Sequence, residues 1–266
     1  MARTALLNVM VQAVLKAGRS LTRDFGEVEN LQVSLKGPGD FVSAADRRAD
    51  EVLIAELRKA RPAYSFLTEE SGTIVGSDES HRWIIDPLDG TTNFLHGIPL
   101  FAVSLALERD GQLVAGVIFN PILNELYVAE KGSGAFLNDR RLRVAARRNL
   151  ADCVIATGLP GIGRSVRDTA IPQINQMMPR IAGLRRSGSA ATDLAWVASG
   201  RYDGYWENGV SPWDIAAGIV LVREAGGMVT DAAGNAGMFA TNTVVAGNET
   251  IHVALLDNIA SARSAA

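Results

Sequence analysis

The stretch WIIDPLDGTTNF, Trp83 to Phe94, decides how the rest of the chain is read. An apolar run from Trp83 to Ile85 ends in Asp86. Pro87 and Leu88 separate it from Asp89, and Gly90, Thr91 and Thr92 follow directly. Two carboxylates at the end of an apolar run raise each other's pKa unless a counter-charge meets them. Helix capping and separate arginine pairs are the ordinary ways to meet it, but the apolar flank of Asp86 and Asp89 argues for a cation. A helix starting at Gly90-Thr91 would turn unpaired backbone N–H groups and the positive end of its dipole toward the acids, which suits phosphate. Gly90 lets the backbone approach closely. Thr91 offers a hydroxyl to orient a water.

Two further places put carboxylates at the tips of apolar elements. Glu69-Glu70 follows YSFLT, and Asp214 follows Pro212-Trp213. Magnesium takes oxygen ligands and keeps several waters, so a few carboxylates on rigid ends suit it. For Glu70 alone, capping or an arginine pair is the preferred reading. Other phosphatase chemistries fail on spacing. A cysteine nucleophile needs an arginine after five intervening residues, and Cys153 has Leu159 there. An aspartyl-phosphate enzyme needs D-x-D-x-T, whereas here the order is D-x-x-D-G-T. His81, His96 and His252 are scattered, and no Cys/His cluster suggests zinc. The pairs Gly132/Gly134 and Gly161/Gly163 match no nucleotide fingerprint and read as turns.

The 266 residues are 47% hydrophobic, enough for one large core or two subdomains sharing an interface. A net charge of −3 gives no general footprint for nucleic acid or an anionic membrane. A single cysteine excludes an internal disulfide and fits a reducing compartment. The N-terminal ALLNVMVQAVL reads as part of an amphipathic helix over about residues 4–24, with Leu6, Met10, Ala13, Val14, Ala17 and Leu21 at helical spacing. It does not read as a signal peptide, no run is long enough to span a membrane, and a cytoplasmic location is expected. Asn248-Glu249-Thr250 is a glycosylation sequon by form only.

SLKGPGDFVSAAD reads as a loop, and Ser43 to Asp46 has the form of a capping box opening a helix that ends before Pro62. YSFLTEES and RWIIDP read as short buried strands. Asp110-Gly111 marks a hairpin between two apolar runs, and NELYVAEKGSGAFLN with RLRVA continues the antiparallel theme. After Leu150 strands and helices alternate. The whole implies a layered α/β body with helices between sheets, strand-rich in its first half and alternating in its second.

TEES, WIIDPLDGTTNF and PWDIAAGIVLVREAGG together resemble the three signatures of the inositol monophosphatase family, in order and spacing, most like its bacterial SuhB-type members. The resemblance runs along nearly the whole chain. It implies an αβαβα sandwich of the kind shared with fructose-1,6-bisphosphatase, a single domain over 1–266 with residues 1–150 as its metal- and phosphate-binding half and 151–266 as its substrate-binding half. It also implies Mg²⁺-dependent hydrolysis of a small phosphate monoester, most directly myo-inositol monophosphate, with two or three Mg²⁺ ions and no covalent intermediate. By position, Glu69, Asp86, Asp89, Asp214 and the Leu88 carbonyl would be metal ligands, with Asp86 bridging two ions. Glu70 would not be a direct ligand. Thr91, supported by Asp46, would orient the attacking water alongside Glu69. Asp89 would border the substrate, and the Gly90 and Thr91 N–H groups would hold phosphate. Gly188, Ser189 and Ala190 would line the alcohol side, and Glu207 would receive sugar hydroxyls. Lys36 stands near the family's loop lysine, in a loop about one residue shorter than in animal members. The resemblance further implies a homodimer and inhibition by lithium. Histidinol phosphate, fructose 1,6-bisphosphate and 3′-phosphoadenosine phosphate remain alternative substrates. A partner role in ribosomal RNA transcription complexes remains an alternative of another class, with Arg185-Arg186 and Arg140-Arg141 as small basic patches. No direct nucleic-acid binding is expected.

Overall fold

The computed structural model describes residues 3–27, 33–37, 40–159 and 167–264. Helix α1 (Ala5–Phe25) starts at Thr4, whose hydroxyl accepts the Leu7 N–H at 3.2 Å. It buries Leu7, Met10, Val14, Ala17 and Leu21, so the stripe is the expected one except that Leu7 rather than Leu6 faces fully inward. The segment read as a loop instead forms two antiparallel strands, β1 (Val33–Gly37) and β2 (Asp40–Ser43), with Pro38 and Gly39 between them outside the described residues. The period-2 pattern there is short, and the glycines and proline dominate the local signal. Helix α2 (Ala44–Ala60) opens with the Ser43–Asp46 capping box and stops before Pro62.

An eight-stranded sheet follows from β3 (Tyr64–Thr68), β4 (Gly72–Ile74), β5 (Asp78–Asp89), β6 (Ala102–Arg109), β7 (Gln112–Asn120), β8 (Glu125–Glu130), β9 (Gly134–Leu137) and β10 (Arg140–Arg141). Its spatial order is β10-β9-β8-β7-β6-β5-β3-β4. Only β3 and β5 run parallel. β5 is not the short strand expected from RWIIDP: it has 12 residues and carries both aspartates, with an irregularity in its pairing between Asp86 and Asp89. The β6–β7 turn uses Asp110 at φ 50° and Gly111 at φ 72°, the left-handed pair that the sequence signalled. A five-residue helix, α3 (Thr91–Leu95), begins directly after β5.

The second half supplies β11 (Val154–Thr157), α4 (Arg167–Met177), β12 (Gly183–Arg185), α5 (Ala190–Ala198), β13 (Gly204–Asn208), α6 (Pro212–Glu224), β14 (Met228–Thr230), α7 (Met238–Thr241), β15 (Thr243–Gly247) and α8 (Glu249–Ser264). The five strands order as β12-β11-β13-β15-β14. The sequence reading omits α7, a single turn too short to show a period.

Alternation along the strands divides the core into layers. Trp83 and Ile85 face α1 and α2 on one side of the large sheet. Ile84, Ala106 and Ile118 face α5 and α6 on the other, where Tyr205, Val244 and Ala246 of the small sheet also pack. Trp206, Val245 and Ile155 face outward against Met177 of α4 and Ile251 and Leu255 of α8. The order is helices, sheet, helices, sheet, helices. The middle helices sit close: a Cβ at Gly116 of β7 would stand 2.6 Å from the Ala217 carbonyl oxygen of α6. No helix among the described residues is long and apolar enough to cross a membrane. The sequon asparagine has a local task, since Asn248 Oδ1 accepts the Ile251 N–H at 3.0 Å at the start of α8. Cys153 is buried in the outer core, as its apolar setting predicts. Gly132 stands in a turn, whereas Gly134, read as a turn glycine, opens β9; both have positive φ. Gly161 and Gly163 lie outside the described residues, and so does the side chain of Lys36.

Candidate metal and phosphate site

The C-terminal end of β5 delivers the first two carboxylates. Asp86 is 2% exposed, and its Oδ1 accepts the Leu88 N–H at 2.9 Å. Asp89 is fixed from the other half of the chain. Its Oδ2 accepts the Ser189 hydroxyl at 2.6 Å and the Ala191 N–H at 2.7 Å, at the first turn of α5. Asp214 caps its own helix. Its Oδ2 accepts the Ser211 N–H at 2.7 Å, completing a capping box at the start of α6. So the ordinary role of an acid at a helix start is real for Asp214, and it fixes the carboxylate where the other acids meet it. Glu69 stands in the turn after β3, where its N–H donates to the Ile85 carbonyl at 3.1 Å. The next turn residues are held by Thr68, whose hydroxyl accepts the Ser71 N–H at 2.8 Å.

These four acids face one another. Burial pushes Asp86 well above the usual carboxylate range, and the charges of Glu69, Asp89 and Asp214 push it further. Burial raises Asp89 to about 6 against the hydrogen bonds from Ser189 and Ala191, with Glu69 adding to the rise. Asp214 is raised well above the range by burial, then by Asp89, with Glu69 and Glu207 also contributing. Among the described residues no three such side chains converge tightly enough to close a ready-made cage. The donors are oxygens throughout, each aspartate with one oxygen pinned by a backbone or hydroxyl donor. That set fits a hard divalent ion that keeps part of its water shell, and Mg²⁺ is such an ion.

Gly90 joins the acids to α3 at φ 95° and ψ 35°. A Cβ there would lie 3.0 Å from the Leu100 carbonyl oxygen and 3.3 Å from that of Gly188, so both conformation and space require glycine. The Thr91 hydroxyl lies 2.9 Å from Asp46 Oδ1 and 3.1 Å from the Leu88 carbonyl oxygen. Asp46 is buried, which raises its pKa against the bonds it accepts from Ser43 and Thr91. Its Oδ2 caps α2 while its Oδ1 meets Thr91.

The structure thus brings Glu69, Asp86, Leu88, Asp89, Gly90, Thr91, Asp46 and Asp214 together, and sets Gly188 and Ser189 against them. Glu70 is half-buried in the same turn as Glu69. The Ser189 hydroxyl is engaged by Asp89 and by Thr192 Oγ1 at 2.7 Å, so contact of this residue with a substrate falls to its backbone. Ala190 is buried behind it. Glu207 leaves the end of β13 on the side facing α5, held by the Tyr205 hydroxyl. Sequence reasoning missed the supports. Ser211 to Asp214 has the same capping-box spacing as Ser43 to Asp46 and could have been found. Asn93, whose Nδ2 reaches the carbonyls of Leu100 at 2.6 Å and Ser187 at 2.8 Å, stitches the two halves and leaves no local signal.

Fold and site define a layered α/β protein whose buried carboxylates gather beside a glycine turn. A model of the inositol monophosphatase family matches residues 2–265. Inositol-1-monophosphatase of Mesorhizobium japonicum is 63% identical over 265 residues, covering all of both chains. Nus factor SuhB of Escherichia coli K12 is 43% identical, over 96% of this chain and 95% of its own. The crystal structure of extragenic suppressor protein suhB from Bartonella henselae superposes with a TM-score of 0.94 at 58% identity, over 96% of this chain and 98% of that one. The chain belongs to the inositol monophosphatase family, a family of phosphatases.

Proposed function

We propose that the protein hydrolyses a small phosphate monoester with Mg²⁺, and that myo-inositol monophosphate is its substrate. The observation that carries this is the meeting of Glu69, Asp86, Asp89 and Asp214 beside the Thr91–Asp46 pair. Mg²⁺ at such a site supplies Lewis-acid polarisation of the phosphate and lowers the pKa of a bound water. Asp86, Asp89, Asp214, Glu69 and the Leu88 carbonyl would hold two to three ions. Asp46, by accepting the hydrogen bond of the Thr91 hydroxyl, leaves the threonine oxygen's lone pairs as acceptors that orient the attacking water, with Glu69 beside it. The N–H groups of Gly90 and Thr91 would receive phosphate oxygens. Gly188, Ser189 and Ala190 would border the alcohol through their backbone, and Glu207 would accept hydrogen bonds from its hydroxyls. The name of the Mesorhizobium relative supports the same substrate. The test is phosphate release at equal enzyme concentration from inositol 1-phosphate, histidinol phosphate, fructose 1,6-bisphosphate and 3′-phosphoadenosine phosphate. Inositol 1-phosphate should give the highest kcat/KM; preference for another ester would replace the substrate reading.

A second reading, a partner role in a transcription complex, draws support from the name of the Escherichia coli relative and from exposed Arg185, Arg186, Arg140 and Arg141. Capture of RNA polymerase from lysate by the inactive Asp86→Asn protein, lost on changing Arg185 and Arg186 to glutamate, is the result this reading requires.

A further inference from the structure

Glu207 can stand where it does because residue 158 has no side chain. β11 and β13 run parallel, with Ala156 opposite Tyr205 and Thr157 opposite Trp206. The same alternation sets Gly158 beside Glu207 on the face looking toward α5. A Cβ built on Gly158 would lie 1.8 Å from Glu207 Cδ, and 1.9 and 2.0 Å from its two carboxylate oxygens. Gly158 is not among the glycines with positive φ, so backbone conformation does not demand glycine here. The nearest atoms to the added carbon all belong to the Glu207 carboxylate. The carboxylate also accepts the hydroxyl of Tyr205, which is wholly buried. Gly158 is buried as well, so the carboxylate is seated between a gap in one strand and a fixed donor on the next.

We propose that Gly158 and Tyr205 are positioning residues that seat the Glu207 carboxylate for the hydroxyls of a polyol phosphate, and so set the preference for such esters over phosphate esters lacking neighbouring hydroxyls. This deepens the substrate reading above and rests on it. A methyl group at position 158 would push the carboxylate out of its seat without touching Asp86, Asp89 or Asp214. A hydrogen bond from a hydroxyl to a charged acceptor is sensitive to such a displacement, and its loss is worth roughly tenfold or more in binding.

The experiment compares inositol 1-phosphate with p-nitrophenyl phosphate for the wild type, Gly158→Ala, Glu207→Asp and the double variant. Gly158→Ala should raise KM for inositol 1-phosphate about tenfold, with kcat changed far less. Its kcat/KM on p-nitrophenyl phosphate and its half-saturating Mg²⁺ concentration should stay at the wild-type values. The double variant should be no worse than Glu207→Asp alone, because the shorter acid no longer meets the new methyl. Wild-type kinetics in Gly158→Ala, or losses that multiply in the double variant, overturn the proposal. Should Gly158→Ala not fold, Tyr205→Phe carries the same test: the KM rise must be confined to inositol 1-phosphate, and an equal loss on both substrates overturns it. Glu207→Ala separates the two levels. If it leaves inositol 1-phosphate turnover unchanged, the polyol reading fails and this inference falls with it. If it is selectively impaired while Gly158→Ala and Tyr205→Phe are not, only this inference fails.

Discussion

Asp86 is buried and faces three other carboxylates. Asp86→Asn should therefore abolish nearly all activity, by about a thousandfold or more if the metal supplies several kcal/mol to the transition state. Glu70→Gln, in the same turn as Glu69 but with no ligand role assigned, should cost less than about tenfold. Steady-state phosphate release on folded variants checks the contrast, and equal losses would move the ligand assignment. The raised pKa values also fix a sign. A carboxylate whose folded pKa lies above its unfolded value holds its proton more tightly when folded, so its contribution to stability is present at low pH and lost as pH rises. For Asp89 the window runs from about 4 to about 6. In chelator, the wild type should lose melting temperature through that window relative to Asp89→Asn. At neutral pH the variant should be the more stable metal-free protein, by roughly 2–4 °C. Added Mg²⁺ should stabilise the wild type and leave the variant nearly unmoved. Thermal melts at two pH values, with and without metal, test both signs.

Element packing transmits precision to these side chains. Asp214 is carried on α6, and α6 lies on β7 with no room for a side chain at Gly116, where a Cβ would stand 2.6 Å from the Ala217 backbone oxygen. Gly116→Ala must push the helix off the sheet. It should lower the melting temperature by several degrees, in line with overpacking costs of about 1–3 kcal/mol, and weaken Mg²⁺ affinity in the same protein. An unchanged metal titration would show that α6 does not set the site. This level also marks how far the sequence could be read. The helices α1, α2, α6 and α8 and the β6–β7 hairpin announced themselves by period, capping residues and the Asp110-Gly111 turn. The acids of β5 and the start of α3 were legible because apolar residues, carboxylates and glycine followed one another within a dozen positions. The β1–β2 pair was hidden by its own glycines and proline. The supports of the site were hidden for a different reason. Ser189 holds Asp89 across 100 positions and Asn93 holds the Ser187 carbonyl across 94. No local pattern encodes a partner that distant.

At the scale of the whole molecule, the candidate site draws Asp86, Asp89 and Glu69 from the first half of the chain and Asp214, Gly188, Ser189 and Glu207 from the second. A second chain is proposed to join it as a homodimer, and light scattering at micromolar concentration should give twice the chain mass. The proposed contact uses exposed surface such as Met178 and the Arg185-Arg186 edge. Lithium at millimolar concentration should inhibit uncompetitively, as the family resemblance implies, which double-reciprocal plots at several lithium concentrations will show as parallel lines. Catalysis is proposed to require a divalent cation that meets the four carboxylates. The most direct test is phosphate release from inositol 1-phosphate by protein freed of metal with chelator, followed as Mg²⁺ is titrated back. Turnover should stay at background without metal and rise saturably with Mg²⁺, a rise that should be absent in Asp86→Asn. Full turnover in excess chelator, or an equal Mg²⁺ response in Asp86→Asn, would contradict this requirement.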